Sequence, residues 1–111
     1  MTQVGLTTFA DKNYCAEGCL AFEAVNPSNG QWFSVQGLEK KTIHFVFSGV
    51  ATAKLMVSNA IDQPDNTVDG VQFGTDVTAD ALVEMKSPVK WMKVKMTAGA
   101  GKVSAYIQGC P

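Results

Sequence analysis

The sequence predicts an all-β fold, an antiparallel β-sandwich or jelly roll, from two observations. The first is composition, because thirteen Val stand against five Leu and are joined by nine Thr, three Ile and ten aromatic residues. Such β-branched and aromatic side chains favour strands. The second is alternation of apolar and polar residues in short runs, separated by turn signals about every 8 to 12 residues, which is typical of sandwiches and barrels.

The candidate strands follow one another between turns rich in Gly, Asn, Pro and Ser. The first, residues 14–24, alternates less clearly, and its Ala and Glu content leaves a short helix as an alternative. The remaining runs are residues 31–35, 42–48, 52–58, 71–76, 81–85, 90–97 and 102–108. We therefore expect seven or eight short strands.

Two pairs of runs are predicted to form β-hairpins, each with a Gly-containing link. In residues 90–97, Met92, Val94 and Met96 share one face, and a short link through Gly99 leads to residues 102–108. Upstream, residues 42–48 and 52–58 form a second pair of the same kind.

The chain has the length of a single domain, residues 1–111, with residues 1–10 as either a flexible N-terminal arm or an edge strand. Its N-terminus lacks the basic and apolar regions of a secretory signal, and no run is long enough to span a membrane. We expect a protein made in a cytoplasm, without a membrane partner. Its odd number of cysteines, Cys15, Cys19 and Cys110, is then expected to be reduced, although a bond tying Cys110 to one of the others stays open.

Nucleic acid is an unexpected partner, because the chain has 9 Lys, no Arg and a net charge of −1. Lys86, Lys90, Lys93 and Lys95 form one basic stretch around Trp91. We expect these lysines to form the solvated face of an edge strand, where they discourage unwanted pairing and offer salt bridges to another protein.

Catalytic chemistry has few candidates, and the chain is not expected to be an enzyme. The single histidine, His44, lies in an apolar run, at the alternate positions that face water or another sheet. A thiol nucleophile would need a cysteine beside it, and no local signature supports that arrangement. We predict no catalytic, cofactor-binding or metal-binding residues and no cofactor.

The longest stretch without a strand pattern is residues 59–70, and loops of this length are often functional. Its carboxylates, Asp62, Asp65 and Asp69, would suit weak calcium binding, but their spacing is not that of an EF-hand, and a solvated turn is the favoured interpretation. Trp32 and Trp91 are either core residues, a sugar-stacking platform or part of a protein interface.

From residue 31 onward, the order of segments resembles a family of viral accessory proteins. Those segments are Trp32-Phe33-Ser34-Val35-Gln36-Gly37, the strand at 42–48, Ala53-Lys54-Leu55-Met56-Val57-Ser58-Asn59, the polar loop, Trp91-Met92-Lys93-Val94-Lys95-Met96-Thr97-Ala98 and Gly101-Lys102-Val103-Ser104-Ala105-Tyr106-Ile107. Together they are similar to the small β-sandwich decoration proteins of tailed bacteriophages, in particular the staple or cementing proteins on the capsids of short-tailed, epsilon-type enterobacterial phages.

The resemblance implies a structural virion protein on the capsid exterior, which clamps neighbouring major capsid proteins and forms a homodimer there. It transfers no site residues, because the contacts of that family do not form a sequence motif. A carbohydrate-binding β-sandwich module, in a phage tail or in attachment to a host surface, is the alternative function.

Overall fold

A computed structural model describes residues 19–110, which form eight strands and no helix. The strands are β1 (Cys19–Ala24), β2 (Phe33–Ser34), β3 (Lys40–Ser48), β4 (Ala51–Ser58), β5 (Val71–Gln72), β6 (Ala81–Met85), β7 (Trp91–Gly99) and β8 (Lys102–Cys110). They make two antiparallel four-stranded sheets, sheet A in the order β1-β8-β3-β6 and sheet B in the order β2-β7-β4-β5. The predicted antiparallel β-sandwich is confirmed.

Strand pairing is nested, since β1 pairs with β8, β2 with β7, β3 with β6 and β4 with β5. Every connection except β4 to β5 passes from one sheet to the other. Consecutive strands of the described residues therefore alternate between the two sheets over most of the chain. The first predicted strand is a strand over residues 19–24, while its earlier part and the predicted arm at residues 1–10 lie outside the described residues.

Both predicted hairpins are wrong, because each pair of runs is divided between the sheets. β3 lies in sheet A and β4 in sheet B, and β8 lies in sheet A while β7 lies in sheet B. Alternation could not have distinguished the two arrangements. In either one, the apolar residues of both strands face the same core, and only the direction of the backbone hydrogen bonds differs.

Glycines allow the β3–β4 link and the β7–β8 link to pack against each other at one end of the sandwich. Gly101 donates its N–H to the Val50 carbonyl at 3.0 Å. A Cβ atom on Gly101 would lie 2.6 Å from the Gly49 carbonyl carbon, which is too close for any side chain. The glycines that suggested hairpin turns therefore serve close backbone approach between links instead.

Side chains from the facing sides of both sheets fill the core. Met92, Val94 and Met96 of β7 are buried as their alternation predicted. The rest of the cluster is Ala21, Phe22, Val35, Leu38, Ile43, Phe45, Ala51, Ala53, Leu55, Met85, Val103, Ala105 and Ile107. Each large side chain buried here contributes about 1.5–3 kcal/mol to folding. Within residues 19–110, no helix is long and apolar enough to cross a membrane.

Candidate functional site

The long loop, residues 59–70, lies across the outer face of sheet B, and Trp32 lies beneath it. Only 1% of Trp32 is exposed. Its indole Nε1 donates to the carbonyl oxygens of Asp65 and Val68, each at 3.1 Å. The Gln63 side-chain amide donates in turn to the Trp32 carbonyl at 2.9 Å. The loop, which the sequence described only as polar, is thus held by the indole ring and the backbone carbonyl of Trp32.

Lys93 lies beside this indole and is 0% exposed. Its ammonium donates to the carbonyl oxygens of Asn66 and Val68, both at 2.8 Å, and lies 4.9 Å from the centroid of the Trp32 ring. Burial away from water lowers the pKa of Lys93, while the charge of Asp69 opposes that shift. Carbonyl dipoles and the face of an aromatic ring stabilise a buried cation. We call Trp32 and Lys93 the loop clamp.

Gly70 brings the end of the loop against the clamp. Its φ of +66° lies in the left-handed region, and a Cβ atom there would lie 2.5 Å from the Val57 carbonyl oxygen and 2.9 Å from the Trp32 ring. Glycine is therefore required at this position both for its backbone conformation and for space.

The predicted solvated lysine face on an edge strand is wrong. β7 is an internal strand of sheet B, between β2 and β4. Lys93 is buried, and Lys95 is half-buried in an ion pair with Asp69 at 2.7 Å. Lys90 donates its ammonium to the Ile61 carbonyl. Lys86 is exposed and pairs with Glu84. Lys90, Lys93 and Lys95 hold the protein's own loop, because residues 59–70 cover the face that was predicted to be solvated.

A second set of contacts fixes the start of the loop. The Asn59 side-chain oxygen accepts the backbone N–H of Lys90 at 2.9 Å, and the Trp91 indole donates to the Ala60 carbonyl at 3.0 Å. With the bond from the Lys90 ammonium to the Ile61 carbonyl, the successive residues 59–61 are all held by Trp91 of β7 and by Lys90, the residue before that strand. The Ile61 side chain nevertheless is 85% exposed. An apolar side chain is therefore presented to solvent from a fixed backbone.

A cavity of about 570 Å³ opens beside this segment, between the ends of the two sheets. It is lined by Gln36, Gly37, Leu38, Glu39, Asn59, Pro88, Val89 and Lys90. Its volume lies in the range of small-molecule and side-chain binding sites. We call this end of the sandwich, formed by residues 36–39, 59–61 and 88–90, the loop end.

Lys41 supports the loop end from inside, and sequence analysis did not single it out. Its ammonium donates to the carbonyl oxygens of Leu38 at 3.0 Å and Ser87 at 2.9 Å, joining the two links that line the cavity. Burial lowers the pKa of Lys41. The available signal was its parity, since Lys41 alternates in phase with the buried Ile43 and Phe45.

The acidic loop residues take local roles in the structure. One oxygen of Asp65 accepts the backbone N–H of Thr67 at 2.9 Å and its hydroxyl at 2.8 Å, as in an Asx turn. Asp69 pairs with Lys95. Asp62 is exposed. Residues 19–110 contain no group of three or more His, Cys, Asp or Glu side chains arranged to hold a metal ion.

The other residues considered from sequence are dispersed. His44 is exposed on the outer face of sheet A, with its ring centroid 6.2 Å from that of Tyr106. Cys19 begins β1 and Cys110 ends β8, while Cys15 lies outside the described residues. The structure therefore brings together Trp32, Lys93 and the loop, and it leaves His44 on another surface.

Acid is expected to loosen the loop. Hydrogen bonds from Thr67 hold the pKa of Asp65 below its ordinary value of 3.8, and a hydrogen bond from Lys95 does the same for the pKa of Asp69. Because both pKa values are depressed in the folded state, the ionised carboxylates of Asp65 and Asp69 stabilise the folded loop above pH 3.8. That stabilisation is lost as the pH falls through their pKa values in the folded protein. Tryptophan fluorescence should shift to the red in that range before global unfolding is seen by far-UV circular dichroism.

The control for this acid transition is Asp62→Asn, in the same loop, which should leave it unchanged. Asp69→Asn should shift the loop transition to higher pH or make the loosened state visible at neutral pH. Coincident fluorescence and circular dichroism transitions in both variants would contradict a separate loop response.

Comparison of the chain with protein-family models, curated proteins and solved structures found no significant match in any of the three.

Proposed function

We propose that this chain is a structural virion protein that binds the outer surface of a phage capsid, as a homodimer, and stabilises the shell by clamping neighbouring major capsid proteins. The observation that supports this best is Ile61, which is 85% exposed on a main chain fixed by Lys90 and Trp91. A rigidly presented apolar side chain beside a cavity is suited to protein docking, because little side-chain or loop freedom is lost on binding.

The proposed mechanism is one of mass action. Copies that bind the assembled shell but not its separated subunits shift the equilibrium toward the intact shell. A protein that contacts two neighbours gains further from effective concentration, since its second contact forms within the first complex. The chain is made in the host cytoplasm and acts on the capsid exterior in this proposal, and no catalytic step is required of it.

Replacing Ile61 tests the docking surface. Ile61→Asp should weaken binding to capsid shells that lack the chain by at least about tenfold, because a charge would be buried where an apolar anchor is needed. Binding is measured by co-sedimentation of purified chain with shells over a range of chain concentrations. Thermal unfolding should be nearly unchanged, since an exposed side chain contributes little to the isolated fold.

Val50 provides the matched control, because it is also an apolar residue 85% exposed. It precedes β4, whereas Ile61 follows it, so the two lie toward opposite ends of a strand about 27 Å long at roughly 3.4 Å per residue. Val50→Asp should bind shells like the unchanged protein. Loss of binding in the Val50 variant but not in the Ile61 variant would move the docking surface to the other end of the sandwich.

For the alternative function, a carbohydrate-binding module, the structure limits which tryptophan could contact a sugar. Trp32 is covered by the loop, so a sugar-stacking platform would have to use the half-buried Trp91 and the neighbouring cavity. Titration with sugars, followed by fluorescence of a Trp32→Phe variant in which only Trp91 reports, tests this function. A saturable change would favour it, and an unchanged spectrum together with shell binding would favour decoration.

A further inference from the structure

Among the strands that residues 19–110 form, β6 is the least protected sheet edge. The edge strands of sheet B, β2 and β5, are each 2 residues long, and β1, at the far side of sheet A, contains a register shift between Leu20 and Phe22. β6 has 5 residues in regular register with β3. Short strands and bulges are two of the devices by which natural sheets prevent edge pairing, and β6 has neither, its one charged side chain being Glu84.

The backbone groups that β6 offers can be assigned from its neighbour. The Phe47 N–H in β3 donates to the Asp80 carboxylate at 2.7 Å, so it points toward the β6 side. Alternate residues point the same way, which directs the backbone groups of β3 residues 41, 43 and 45 to their partners in β6, residues 85, 83 and 81. The N–H and C=O groups of Leu82 and Glu84 therefore face away from the sheet. Both side chains are exposed, Leu82 by 68%.

This edge is complementary to itself in one antiparallel register. Centred on Val83, the register sets Leu82 opposite Glu84 of a second copy, so that all outward groups of both residues are paired. It also sets Lys86 opposite Asp80 of the second copy, which places opposite charges together twice by symmetry. Centring on Leu82 would instead oppose Asp80 to Glu84, and centring on Glu84 would oppose two glutamates. Charge therefore selects the register centred on Val83.

We propose that β6 pairs with β6 of a second copy in this register, so that the two A sheets continue into one sheet across a two-fold axis at Val83. The pairing deepens the homodimer part of the proposed function and does not involve the loop end. Its test is carried out in solution without shells, so its failure is distinguishable from a failure of shell binding.

Sedimentation velocity of the full chain at about 1 to 500 µM should show a reversible monomer–dimer equilibrium by mass action. Leu82→Pro should weaken the dimer by at least about tenfold, because it removes an outward N–H without removing a bond to β3. Leu82→Thr keeps that N–H and should still dimerise. Val83→Cys should form a disulfide-linked dimer in air faster than Leu82→Cys, because paired Val83 Cα atoms would be about 4.5 Å apart and paired Leu82 atoms about 7–8 Å.

The native cysteines are shared by both cysteine variants, so only the difference between them is informative. A chain that stays monomeric over the whole concentration range overturns the proposal. So does a Leu82→Pro variant that is folded by circular dichroism and associates like Leu82→Thr. Equal crosslinking of the two cysteine variants overturns it even if the proline variant fails to fold.

Discussion

Trp32→Ala is expected to lower the free energy of unfolding by about 4 kcal/mol, which lies in the range for removing a buried indole. The substitution removes the ring that lies under the loop, both bonds to the Asp65 and Val68 carbonyls and the aromatic partner of Lys93. The loop should then exchange its amide hydrogens faster than the strands do. Urea unfolding gives the free energy, and hydrogen exchange by mass spectrometry reports on residues 59–70.

Trp32→Phe is the matched control for that experiment. It keeps an aromatic ring and removes the indole N–H, so a loss of about 1–2 kcal/mol is expected from the two hydrogen bonds. If Trp32→Ala cost no more than Trp32→Phe, the ring would contribute nothing beyond its hydrogen bonds. That outcome would contradict the clamp as the main support of the loop.

Lys93→Glu is expected to destabilise the protein by more than about 3 kcal/mol, because it places an unpaired carboxylate among carbonyl oxygens. Lys93→Met should cost less, about 2 kcal/mol, since the aliphatic stem is kept while the bonds to Asn66 and Val68 and the contact of the ammonium with the Trp32 ring are lost. Sequence alone favoured the opposite expectation, that this lysine lies on a solvated face. The free energies of unfolding of Lys93→Glu and Lys93→Met, measured by chemical denaturation, decide between a buried and a solvated lysine.

Lys95 supplies the control, because it lies two residues further along the same face and is half-buried in an ion pair with Asp69. Lys95→Met should change the free energy of unfolding by no more than about 1 kcal/mol, as for other partly solvated ion pairs. Equal effects at Lys93 and Lys95 would show that burial under the loop has no energetic consequence.

The class of fold could be predicted because alternation reports directly on which side chains face a core. Met92, Val94 and Met96 show this, since their spacing alone placed them inside. The pairing of strands could not be predicted in the same way. β3 and β4 alternate identically whether they share a sheet or face each other, and the short glycine links fit both arrangements.

The site was only partly predictable, for a different physical reason. The length of residues 59–70 correctly drew attention to that loop, but alternation describes a strand and contains nothing about what lies over its outer face. Lys93 is buried by residues distant in sequence, and no local pattern reports such a cover. The burial of Lys41 could in principle have been predicted, because its parity matches Ile43, but a charged side chain at a core position is ordinarily assigned to the surface.

The measurement that tests the proposed role most directly is the number of copies of this chain in purified virions produced by the genome that encodes it. Quantitative mass spectrometry against the major capsid protein gives that number. A structural decoration protein is expected in hundreds of copies per particle. Deletion of the chain should remove those copies and lower the stability of the capsid. Absence of the chain from virions whose capsid protein is fully recovered would contradict the proposed function.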